Sequence, residues 1–226
     1  MSPVYDESFE MIVQDIEVGP PQEAYHPLKL ITRWSSPICC RYYPVAAARQ
    51  GALWIGGAGG GWDTPAKGLY PQLSQELMAE AIASLRVRYR YPAELEESIL
   101  DVLAGLSYLK AEGIKSVALI GHSFGGAVAI QAAAQSQAVR TVVTLATQSY
   151  GAVPDLELAR RCSLLLLHGS ADPVLPPSCS QRVYQLASEP KRLIIYPGAA
   201  HSLDEVADEV HQVVRDWVIE QLNRCA

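Results

Sequence analysis

The sequence predicts an α/β fold: a mostly parallel central sheet with helices on both faces. Three observations predict it. Short apolar runs that end in turn formers recur through the second half of the chain, as strands buried on both faces of a parallel sheet do. Segments with apolar residues at helical spacing lie between them. The two kinds alternate from Ala52 onward, which is the pattern of crossover connections.

Taken in order, residues 11–18 and 28–34 alternate as two strands, and Ala52-Leu53-Trp54-Ile55 is a third that runs into a glycine cluster. Residues 75–82 read as a helix and residues 85–91 as a strand ended by Pro92. Leu95, Ile99, Val102, Leu103, Leu106 and Leu109 form one helical stripe, stopped by Gly113. Strands follow at 116–121, 139–146, 163–167 and 192–196. The last helix carries Val206, Val210, Val213, Val214, Trp217, Val218 and Leu222 on one face. Its start, Ser202-Leu203-Asp204-Glu205, reads as a capping box with Ser202 as N-cap and Glu205 at N3.

The 226 residues suit one domain, 1–226, with N-terminal strands and loops in 1–50 and the alternating core in 52–222. Hydrophobic residues at 49% and charged residues at 19% mark a globular chain with enough apolar material for a layered core. Net charge is −6 and the 18 Lys and Arg are scattered, which argues against nucleic acid as a partner. No run approaches 18 apolar residues, so no membrane span is expected. The acidic start, with Asp6, Glu7 and Glu10, does not suit a targeting peptide. Cys39, Cys40, Cys162, Cys179 and Cys225 are odd in number and irregular in spacing. They read as reduced thiols of a cytoplasmic protein. The apolar surface of the N-terminal strands is a candidate homodimer edge.

Gly121-His122-Ser123-Phe124-Gly125 matches G-x-S-x-G. The five-residue string alone is weak evidence; its setting between an apolar strand and the helix former Ala127-Val128-Ala129-Ile130 is much stronger. A tight strand–turn–helix leaves no room for side chains beside the serine and lifts its hydroxyl above the sheet's carboxyl edge. A serine needs a base, and the base an acid. Of five histidines, His201 follows the last strand and falls on the same edge. His122 lies inside the elbow, His168 ends a strand, His211 is mid-helix and His26 sits in an early loop. Asp172, in His168-Gly169-Ser170-Ala171-Asp172, is the acid, with Asp155 a weaker alternative. Backbone N–H groups of Phe124 and Ala58 are the expected oxyanion donors, Gly59 being second choice to Ala58. Gly57, Gly59, Trp62, Tyr91, Phe124 and Tyr150 lie on loops at this edge and are candidates for the substrate pocket. The glycine loop fits neither a dinucleotide fingerprint nor a Walker loop, and no metal-ligand motif occurs, so no cofactor or metal is implied.

With Ser123, Asp172 and His201 in that order, the chain resembles the α/β-hydrolase superfamily over roughly residues 52–222. The segment between Gln148 and Cys162 is too short for an independent cap, so the chain is similar to small cap-less serine hydrolases and to dienelactone-hydrolase-like proteins. The latter often use cysteine as nucleophile, from which Ser123 departs; Gly56 departs from the histidine that many superfamily members carry. The resemblance implies hydrolysis of a small-molecule carboxylic ester, or thioester, through an acyl-serine. The same fold also hosts non-catalytic binding proteins, and the same three residues serve acyl transfer to an alcohol or C–C cleavage.

Overall fold

Strand β4 (Gln50–Ile55) lies at the middle of the sheet because the chain leaves it in two directions. It pairs in parallel with β5 (Ile82–Arg88) on one side and with β6 (Ser116–His122) on the other. From β6 the parallel run continues through β7 (Val139–Leu145), β8 (Ser163–Gly169) and β9 (Lys191–Tyr196). Beyond β5 lies an antiparallel wing of β3 (Ile38–Tyr43), β2 (His26–Thr32) and β1 (Val13–Val18). The sheet order is therefore β1-β2-β3-β5-β4-β6-β7-β8-β9 in a computed structural model that describes residues 13–33, 36–153 and 162–224. The winding reverses between β5 and β6, so the loops after β4 and β6 part and leave a crevice at the carboxyl edge.

Strand periodicity divides the core. Leu53, Ile55, Leu85, Val87, Leu119, Val142, Leu164 and Leu166 face α2 (Leu95–Ala111) and α3 (Phe124–Ala134). Ala52, Trp54, Ile120, Val143, Leu145, Leu165 and Leu167 face the other way, toward α1 (Leu69–Glu76) and α5 (Ala207–Asn223). A buried leucine or isoleucine contributes about 1.5–3 kcal/mol, and both faces of β6–β8 are lined with them. This explains why these strands read as continuous apolar runs rather than alternating ones.

The structure departs from the sequence reading in four places. β3 lies between Pro37 and Pro44, and its residues Cys39 to Arg41 do not alternate in polarity. Helix α4 (Ser178–Leu186) buries only Ser180 and Val183, so it carries almost no apolar signal. The helix expected at 75–82 begins earlier: α1 starts at Leu69, tolerating Pro71 in its first turn, where the missing N–H costs nothing. A 3-10 turn then runs over Leu77–Glu80, and Ile82 already belongs to β5, which ends at Arg88. The capping box does not form. Helix α5 starts at Ala207 after a 3-10 turn at Asp204–Val206, without a side-chain cap. Glu205 instead accepts from the Ala200 N–H at 3.0 Å, and the Ser202 carbonyl accepts from Ala66 N–H at 2.7 Å.

Candidate active site

Ser123 is the single residue between β6 and α3. Its backbone is held at φ 56° and ψ −120°, a conformation non-glycine residues rarely adopt. A Cβ at Gly121 would collide with the Gly125 carbonyl, and one at Gly125 with the carbonyl of Gly56 in the neighbouring loop. Glycine at both positions is what lets the turn close. The Ser123 N–H donates to the Leu145 carbonyl at 2.8 Å and anchors the elbow to the end of β7.

The loops after β8 and β9 are laced together. Ser170 N–H donates to Tyr196 O, Ala171 N–H to Ala199 O, and Gly198 N–H to Ser170 Oγ, at 2.9, 3.0 and 2.8 Å. With Glu205 fastening Ala200, this lacing brings Asp172 and His201 together. His201 Nδ1 lies 2.7 Å from Asp172 Oδ2, and His201 Nε2 lies 3.0 Å from Ser123 Oγ. A carboxylate only accepts, so Nδ1 carries the proton and the Nε2 lone pair faces the serine hydroxyl.

Asp172 is fully buried on its side chain, and its oxygens are saturated. Oδ1 accepts from the N–H groups of Val174 and Leu175 at 2.8 and 2.9 Å. Oδ2 accepts from His201 and lies 3.2 Å from His168 Nε2. Burial opposes its charge, but the Leu175 N–H, the His201 ring and the Val174 N–H together hold the carboxyl below its ordinary value. Asp172 is therefore a fixed anion.

Two further histidines frame this pair. His168 is wholly buried, with Nε2 3.0 Å from the Leu175 carbonyl and Nδ1 2.7 Å from Ser180 Oγ. The carbonyl requires a proton on Nε2, which His168 shares with Asp172, and Ser180 donates to the bare Nδ1. Burial outweighs its acceptor partners and lowers its pKa, so the ring stays neutral. His122 donates from Nε2 to the His201 carbonyl at 3.1 Å, and the two ring centroids are 4.8 Å apart. Burial lowers the His122 pKa to about 4, again a neutral ring. From the sequence, His122 is expected to pack beside the turn and His168 to satisfy backbone groups, and His168 does meet the Leu175 carbonyl. The only sequence signal for the contact with the acid is the four-residue step from His168 to Asp172.

The glycine loop is held at its root. Tyr70 Oη donates to the Ile55 carbonyl and Tyr89 Oη to that of Gly56, both at 3.0 Å. Gly57 is the loop residue that faces the serine, since a Cβ there would lie 3.7 Å from Ser123 Cβ. Ala58 and Gly59 form the exposed corner of a turn closed by Gly60 N–H on Gly57 O at 3.1 Å. Phe124 is buried edge-on against Tyr89; its N–H, the first of α3, has no intrahelical acceptor. Tyr91 and Tyr150 are exposed, at 41% and 81%, on the loops after β5 and β7. Trp62 stacks on Arg41 and lines a hollow against the antiparallel wing, a hollow whose walls do not include Ser123 or His201. Asp155 and Cys225 lie outside the described residues. Among those described, no group of three or more His, Cys, Asp or Glu side chains is placed to hold a metal ion.

A mixed sheet of this order, helices on both faces and a strained serine turn at the switch point define the α/β-hydrolase fold. The chain belongs to the dienelactone hydrolase family, whose model matches residues 69–216. It superposes on Est1E from Butyrivibrio proteoclasticus with a TM-score of 0.72 at 16% identity, covering 88% of this chain and 99% of that one. Dienelactone hydrolase from Anabaena variabilis gives a TM-score of 0.71 at 18% identity, covering 87% and 99%. Among curated sequences, the uncharacterized protein YfhR of Escherichia coli K12 is 33% identical over 123 residues. That match takes in 54% of this chain and 40% of YfhR, so it spans less than half of the relative's length. No helix among the described residues is long and apolar enough to cross a membrane.

Proposed function

We propose that this protein is a serine hydrolase of small-molecule carboxylic esters, with Ser123, His201 and Asp172 as its catalytic residues. The observation that carries the reading is the continuous hydrogen-bonded chain Ser123–His201–Asp172, at 3.0 and 2.7 Å, with His201 in the tautomer that leaves Nε2 free to accept. Ser123 Oγ attacks the ester carbonyl while His201 Nε2 takes its proton. The imidazolium then returns that proton to the leaving alcohol, and an acyl-serine remains. Water repeats the cycle in reverse roles and releases the acid. Asp172, already a fixed anion, stabilises the imidazolium without being protonated. The oxyanion is received by the Phe124 N–H and by the Gly57–Ala58 stretch, with Ala58 N–H as the second donor. Neutral His122, its ring tilted against that of His201, adds no positive charge beside the imidazolium.

The test is labelling with a fluorophosphonate followed by peptide mapping. The expected result is one phosphonyl group per chain on Ser123, no labelling of Ser123→Ala, and turnover of short p-nitrophenyl esters reduced to background in that variant. Near-wild-type ester hydrolysis by folded Ser123→Ala would falsify the reading.

A further inference from the structure

The antiparallel wing carries a second site. Cross-strand register sets two rows of side chains on one face: Glu17–Lys29–Cys39–Arg88, and next to it Pro27–Arg41–Arg86. Four cations thus share a face with two carboxylates, Glu17 and, two residues away on β1, Asp15. Glu17 is taken by Lys29, at 2.8 Å. Arg86, almost fully buried, donates to the Trp62 carbonyl at 2.8 Å. Arg41 and Arg88 have no carboxylate partner among the described residues. Arg41 also stands directly opposite Arg86, and like charges in that position destabilise a sheet. A juxtaposition with no neutralising acid beside it among the described residues has room for an external anion.

The surroundings of Arg41 say what kind. Its guanidinium carbon lies 4.1 Å from the Trp62 ring centroid and 5.0 Å from that of Tyr25. A guanidinium stacked on aromatic rings keeps its in-plane N–H fork for a planar, two-oxygen acceptor. Arg41, Arg88, Tyr25 and Trp62 wall a hollow of about 360 Å³, with Val18 and Pro27 adding apolar surface. That volume is at the small end of ligand sites. On the rim Glu17 and Lys29 neutralise each other, and of the two remaining cations only Arg41 is stacked on aromatic rings, so one carboxylate matches the single held fork. β3 is three strands from β6, about 14 Å at ordinary strand spacing, so the hollow is separate from the serine.

We propose that this hollow binds a small organic monoanion, a carboxylate on a short apolar body, with the carboxylate on the Arg41 fork beside Arg88 and the body against Tyr25 and Trp62. The site does not depend on the ester-hydrolase reading, and its test does not read activity. The full chain is titrated with sodium benzoate, with benzamide as the uncharged isostere and sodium chloride as the ionic-strength control. Binding is followed by tryptophan fluorescence, with Trp62→Phe as baseline, and by Tm. The expected result is a saturable response to benzoate with Kd below about 10 mM and none to benzamide. Arg41→Gln weakens binding at least tenfold, about 1.4 kcal/mol. Arg41→Lys, which keeps the charge but not the fork, and Arg88→Gln weaken it less, and these two decide the matter if Arg41→Gln does not fold. An equal response to benzamide or chloride overturns the proposal, as does unchanged binding in folded Arg41→Gln. Tighter binding of phenyl phosphate than of benzoate overturns the assignment of a monoanionic carboxylate.

Discussion

The parallel half of the sheet and its antiparallel wing treat buried polarity in opposite ways. At the carboxyl edge of β6 and β8, the acid and the two framing histidines are saturated: Asp172 has four donors around it, and His168 and His122 are each fixed in one tautomer. In the wing, Arg41 and Arg88 present N–H groups with no carboxylate opposite. Saturated groups have one low-energy arrangement, which a proton relay needs to within a few tenths of an ångström. Unsaturated groups hold binding capacity in reserve. The difference shows where to look for chemistry and where to look for a ligand.

The comparison is broken most severely by removing the turn on which the parallel edge is built. Gly121→Ala places a methyl group against the Gly125 carbonyl. We expect a loss of about 4 kcal/mol or more in stability, read by chemical denaturation, together with loss of the serine label. Next comes Asp172→Asn, which keeps the shape but offers His201 an amide. The expected fall in kcat is about 10³–10⁴-fold with the fold retained, measured by ester turnover and circular dichroism. His168→Phe sharpens the comparison by unsaturating one acceptor of the edge. It strips a donor from Asp172 and leaves Leu175 O and Ser180 without their partner. The expected cost is about 2 kcal/mol in stability; kcat falls about tenfold with KM unchanged, since the acid loses only one of its supports.

The last effect is one of pH, graded rather than all at once. Burial holds His122 at about 4 when folded, against 6.5 ordinarily. Between these values the unfolded chain binds a proton that the folded chain does not. Stability from this group is therefore complete above about pH 6.5 and lost as pH falls toward 4, by up to about 3 kcal/mol. Asp172, with its folded value depressed, adds a loss in the same direction at still lower pH. His122→Gln retains a donor for the His201 carbonyl and is expected to flatten the upper part of this slope. Denaturation midpoints at pH 7 and pH 5 in both proteins measure it.

How much of this was legible in the sequence depends on what each feature rests on. Strands β6 to β8 were readable because burial on both faces leaves few polar positions to confuse the pattern, and β9 because Leu193-Ile194-Ile195 is an unbroken apolar run. β3 was not, because Cys-Cys-Arg breaks the alternation and its pairing with β2 and β5 is what makes it a strand. Helix α4 was not, because it rests two residues on the core. Glu205 was misassigned to a cap because Ser-x-x-Glu is a local pattern, whereas the Ala200 N–H it serves becomes its neighbour only when the loop after β9 folds back.

By itself the sequence determined the alternation of strand and helix, the strained turn at Ser123 through its flanking glycines, and the order in which serine, aspartate and histidine follow their strands. These are properties of short windows, governed by side-chain periodicity and local backbone sterics. The tertiary structure alone decided that His201 meets Asp172 and Ser123, that His168 and His122 are neutral donors, and that Trp62 turns to Arg41 in the wing. Those contacts join residues from different strands and loops, and their tautomers and charges follow from burial, which no window of sequence contains.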